Sequence, residues 1–173
     1  LVTIYVLHNQ INDYWYSRHS VSIDKDDKIW LQRFDPVYNR YNPELKHQFE
    51  QKLTRWLHTR DFMPMAMDTL PEEFKMMVGA PQIHLSLNMT KDPWKSKVRI
   101  ALYRHPFISP DIQNVHVSEF NKADGMFIFS VEQLNAAWIN WGGYYNPGFH
   151  SAIESLDIQH FDWPRFNVEF SQS

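Results

Sequence analysis

The stretch Tyr144-Tyr-Asn-Pro-Gly-Phe-His-Ser-Ala-Ile-Glu-Ser-Leu156 constrains this chain more than any other. Asn146 has a short side chain that can accept from the first free backbone amides of a helix. Pro147 has its φ preset and no amide proton to lose, so it suits the first helical position. A helix is therefore expected to start here, with Phe149, Ile153 and Leu156 on one face. His150 and Glu154, four apart, project side by side from a neighbouring stripe.

Composition limits what such a helix can belong to. The 173 residues suit one globular unit, with 43% apolar and 16% aromatic residues (12 Phe, 8 Tyr, 7 Trp) and only 5 Gly. A chain of this size buries about two-thirds of its surface on folding. The net charge of -3 and the absence of a Lys/Arg cluster leave no footprint for nucleic acid. With no cysteine, disulfides and thiolate metal sites are excluded, so any metal would be held by His, Asp or Glu. Leu1 to Leu7 is mostly apolar but far short of the roughly 20 residues a bilayer needs. It reads as the start of a strand or helix, or as the tail of a membrane anchor lying upstream of residue 1.

In chain order, residues 1–42 form an aromatic and polar segment, in which Asp24-Lys-Asp-Asp-Lys28 reads as a solvated turn and Ile29 to Phe34 fits either a strand or a helix. The pattern clears at Pro43, where a main domain of residues 43–173 is expected to begin. Leu45, Phe49, Leu53, Trp56 and Leu57 recur at helical spacing behind the Asn42-Pro43 start. Phe62 to Met67 is a short apolar stretch. Thr69 and Glu72 form a capping-box pattern for a second helix running to about Leu87, inside which Pro81 removes a backbone donor and should kink it. Residues 91–96 read as a loop. Residues 98–103, 115–119 and 126–130 alternate or run apolar as strands, and Val131 to Trp141 reads as a helix broken by Gly142-Gly143. Helices, then a small strand set, then a helix is an α+β order. The methionines read as core filling.

His150 and Glu154 stand at the spacing of the two ligands in an H-E-x-x-H zinc helix, whose Glu at the second position activates metal-bound water. Ser151 stands at that second position, and a hydroxyl has no useful basicity near neutral pH. No G-x-S-x-G elbow surrounds Ser151 to make it a nucleophile. The plain alternative for His150 and Glu154 is a paired couple on an ordinary helix. The other eight histidines are scattered singly and read as surface or core residues.

Several short segments, in order, resemble the MtfA (Mlc titration factor A) family of zinc-peptidase-like proteins. They are Phe49 to Leu57, Phe62, Glu72 to Ala80, Ile100 to Ser109, Ser118-Glu-Phe-Asn121, Phe127 to Leu134, and Asn146 to Leu156, spanning roughly two-thirds of the chain. The resemblance implies a zincin-like α+β fold with a small mixed sheet and a degenerate metal-site helix. His150 takes the first ligand position, and Glu154 takes one where the family has His. The family's remaining ligand lies beyond this helix, where His160 and Asp162 could turn back to supply it. The expectation is a pseudo-peptidase that binds a protein or peptide, with zinc the one metal implied and no cofactor otherwise expected. Its rivals are a working zinc peptidase using His150 and Glu154, and a structural domain of a membrane-anchored bacterial protein. The cytoplasm or the cytoplasmic face of the inner membrane is the expected location, and a homo-oligomer is compatible with it. The aromatic flank, Phe127, Phe129, Trp138, Trp141, Tyr144 and Tyr145, is the expected binding surface. The apolar 126–130 strand is expected at the sheet edge, covered by a peptide, a second copy or the 161–170 segment.

Overall fold

The computed structural model describes residues 22–89, 93, 98–108, 114–121, 124–143 and 145–156. Among the described residues, six helices alternate unevenly with six short strands. The helices are α1 (Lys25–Phe34), α2 (Pro36–Arg40), α3 (Pro43–Thr59), α4 (Glu72–Ser86), α5 (Val131–Ile139) and α6 (Pro147–Ser155). The strands are β1 (Asp61–Met65), β2 (Arg99–Tyr103), β3 (Phe107–Ile108), β4 (Val115–His116), β5 (Ser118–Asn121) and β6 (Met126–Ser130). β1, β2 and β6 run parallel and β5 closes the sheet antiparallel to β6, in the order β1-β2-β6-β5, while β3 and β4 form a separate antiparallel pair. The class is α+β with a small mixed sheet.

Three helices start by one device. Asp35, Asn42 and Asn146 each precede a proline, and each side-chain oxygen accepts from amides of the following turn. The Asp24 to Lys28 run is no turn: Asp24 caps α1 by accepting from Asp26 N at 2.8 Å, and the run forms its opening. α4 starts at Glu72 behind Pro71, with no side-chain cap, so Thr69 does not cap it. Proline disfavours helical φ/ψ in the residue before it, which holds Leu70 out of the helix. At its other end Lys52 of α3 donates to the carbonyls of Ser86, Leu87 and Met89 at 2.7–3.1 Å, groups a helix terminus leaves orphaned.

α4 runs on through Pro81. Because proline has no N–H, the carbonyl of Met77 four residues back loses its helical donor. The Trp138 indole of α5 donates to that carbonyl at 3.1 Å, so the orphan acceptor fixes α5 against α4. Gly148, at the start of α6, lies against the same spot: a Cβ there would stand 2.9 Å from Pro81 Cγ and 3.0 Å from Met77 O.

The core joins Leu53, Met76, Ile100, Phe127, Phe129 and Leu134 between sheet and helices. It also takes in Leu31 and Tyr38, both fully buried, so α1 and α2 belong to the same core despite preceding residue 43. Phe127 and Phe129 are likewise fully buried, and β6 lies between β2 and β5. The expected edge position of residues 126–130 is therefore overturned. In this central position Phe127 and Phe129 are buried and Met126 and Ile128 half-buried, whereas one edge strand, β5, is the polar Ser-Glu-Phe-Asn. No described helix is long and apolar enough to cross a membrane.

Candidate functional site

α6 packs on α4 and on the edge strand β5. Its start follows from Asn146, whose Oδ1 accepts from the amides of Gly148 and Phe149 at 2.9 and 3.2 Å. That start fixes which residues face inward. Gly148, Ser151 and Ala152 are buried, and His150, Ile153 and Glu154 are exposed. His150 and Glu154 thus share the outer face, as the four-residue spacing requires, but no hydrogen bond or ion pair joins them. The Tyr145 ring stands 5.0 Å from the His150 ring, and its hydroxyl hydrogen-bonds Ser118 of β5 at 2.8 Å. Tyr145, His150, Ile153 and Glu154 therefore make one ledge beside β5, whose outer edge pairs with no described strand.

Among the described residues the fit to zinc is poor. Two possible donors, His150 and Glu154, share one exposed face, and among the described residues no group of three His, Asp or Glu side chains could hold a metal. His160 and Asp162 lie outside the described residues, as does Tyr144. Ser151 is fully buried, and its Oγ has no hydrogen-bond partner. It faces the core, away from the ledge where a reacting group would sit.

The other expected binding residues divide by burial. Phe127, Phe129 and Trp138 serve the core, and Trp138 also spends its N–H on Met77. Trp141 is half-buried, its ring 4.9 Å from that of Trp138 and 5.8 Å from that of Phe149. Of the five that are described, Tyr145 alone stands on the outside, 45% exposed.

A polar cluster that the spacing of residues did not announce lies at the junction of α2, α3 and α4. Asp35 is fully buried: Oδ1 caps α2 through Val37 N and Tyr38 N, and Oδ2 meets His84 Nε2 at 2.7 Å. The other ring nitrogen of His84 hydrogen-bonds the Tyr41 hydroxyl at 2.9 Å. Phe49 and Phe149 lie near-parallel to the His84 ring, at 4.5 and 6.0 Å. Burial, and then the Asp35 carboxylate, push the Tyr41 phenol up to about 12. Nearby, Glu50 accepts from Tyr38 Oη and pairs with Lys28 at 2.9 Å. Burial, reinforced by the hydrogen bond to Glu50, raises the Tyr38 phenol further. The one signal for this cluster was Asp35-Pro36, the same cap-and-proline pair that marked α3 and α6.

Comparison of the chain with family models, with curated proteins and with solved structures finds no match.

Proposed function

We propose that this chain is a zincin-like domain of the MtfA type that has lost catalysis and acts by binding an extended protein segment. The observation that carries the reading is the burial of Ser151. The residue next to His150, where a zinc peptidase keeps its general base, is a hydroxyl turned into the core. What remains on the outside is a docking geometry. β5 offers an outer edge unpaired by any described strand, and an edge strand hydrogen-bonds an added strand through its backbone. The ledge of Tyr145, His150 and Ile153 beside it offers aromatic and apolar surface for the added side chains, and Glu154 a charge to select among them.

Two measurements test this reading. With added zinc, the protein should hydrolyse no peptide or aminoacyl substrate. Turnover that vanishes in His150→Ala and survives Ser151→Ala would show that the domain is a working metallopeptidase. A panel of extended peptides should include ligands that shift the backbone amides of residues 118–121. Tyr145→Ala should weaken those ligands by about 1–2 kcal/mol, as the loss of an exposed aromatic anchor does. A panel that leaves those amides unmoved would reduce the domain to a structural role.

A further inference from the structure

A cleft of about 440 Å³ opens between the start of α1, the start of α4 and the end of α5, and shares no residue with the α6 ledge. Its volume falls in the range of small-ligand pockets. Trp30, Phe34 and Trp138 give it an aromatic wall, and Met77 and Ile139 add apolar surface. The Trp30 ring is 5.7 Å from that of Phe34, tilted 44°, and 4.9 Å from that of Trp138, tilted 60°. These rings therefore form a corner, not a flat stack. Asp26 and Asp27 line the cleft from the first turn of α1, and Glu72 and Glu73 from the first turn of α4.

Acidic residues at a helix start need no ligand to explain them, because they complement the helix dipole. Each helix accounts for its own pair in this way. Neither accounts for both pairs opening onto one aromatic corner. The charges do not cancel there either. Two helix N-termini contribute about half a positive charge each, and the Arg33 guanidinium lies 5.1 Å from the centroid of the Phe34 ring, against four carboxylates, of which Glu72 pairs with Lys75 at 2.6 Å. No salt bridge joins Asp26, Asp27 or Glu73 to another described residue. The crowding is felt at Asp27, whose carboxyl is raised by burial and then by Asp24, Glu72 and Asp26, with His58 acting the other way.

We propose that this cleft is a binding site for an alkylated ammonium group. The aromatic faces attract a positive charge through their quadrupoles. The alkyl groups of such a cation fill the apolar corner, and the carboxylates set the sign of what enters. A bare metal ion or a strongly hydrated ammonium would gain little from the ring faces, and a neutral apolar ligand would leave the carboxylates uncompensated.

Calorimetric titration of the full chain with choline, and with its neutral tert-butyl analogue, tests the proposal. Choline should saturate one site, and the neutral analogue, of the same shape, should bind at least about tenfold more weakly. Asp26→Asn and Glu73→Gln alter exposed carboxylates and leave the core intact, so each should weaken choline severalfold with an unchanged circular dichroism spectrum. Trp30→Ala should abolish binding; if that variant fails to fold, the two carboxylate variants decide alone. A peptide carrying trimethyllysine identifies the source of the cation. Affinity well above that of choline assigns the site to a modified lysine side chain, and equal or lower affinity assigns it to a free small amine. The proposal is overturned if neither choline nor the trimethyllysine peptide binds at millimolar concentration, if the neutral analogue binds as well as choline, or if both carboxylate variants bind like the parent.

Discussion

The bond from Trp138 Nε1 to Met77 O exists because Pro81 has no amide proton to offer that carbonyl. Its worth can be isolated by a double-mutant cycle. Trp138→Phe keeps most of the ring volume but strands a buried acceptor, and should cost about 1–3 kcal/mol in urea unfolding. In a Pro81→Ala background the residue-81 amide can serve Met77 O, so the same Trp138→Phe change should cost measurably less. Equal costs in the two backgrounds would show that the indole contributes packing alone. Ser151 illustrates the converse at the same scale. Its hydroxyl is a buried donor without a partner, a kind of group that costs stability wherever it occurs.

Among the elements, the two helix starts marked by Asn-Pro were the most legible feature and strand places within the sheet the least. Asn42-Pro43 and Asn146-Pro147 announced α3 and α6, because a capping side chain and a proline act locally and need no tertiary partner. The same pair at Asp35-Pro36 starts α2, a helix the sequence reading did not place, and its buried link to His84, 49 residues away, left no mark on local spacing. β6 shows the limit from the other side. Its apolar run said that it was a strand, but its place between β2 and β5 depends on partners elsewhere in the chain. Helix contacts offer a graded test. A Cβ on Gly79 would meet Trp56 at 2.8 Å and Leu53 at 3.0 Å, all side-chain atoms, whereas a Cβ on Gly148 would meet a backbone carbonyl as well as Pro81. Gly79→Ala gains about 1 kcal/mol of helix propensity and loses about 1–3 kcal/mol to overpacking, for a modest net loss. Gly148→Ala gains little at the second helical position and presses on atoms that cannot rotate away, so it should be the more destabilising of the two in thermal unfolding. The reverse order would mean that α6 sits looser on α4 than these distances require.

For the molecule as a whole, the described residues before residue 43 share the core of those after it. Aromatic and polar composition suggested a separate segment, yet Leu31, Asp35 and Tyr38 are among its most buried residues. A chain beginning at Asn42 would lose them, uncover the α4 face they pack on and leave His84 without its carboxylate. It should bind a hydrophobic dye, keep its far-ultraviolet dichroism and lose cooperative unfolding, the marks of a molten globule. A sharp two-state transition in that shortened chain would restore the separate segment. The seating of α6 against Pro81 and Met77 also sets a timetable for the nascent chain. Roughly 70 residues separate the end of α4 from the end of α6, and a ribosome adding about 5–20 residues per second takes several seconds over them. Through that interval the apolar floor beneath α6 has no native cover, and β5, once made, lacks the helix that flanks it. Those seconds are when a chaperone has most to hold, and the codons between α4 and α6 are where slower translation would prolong the exposure most.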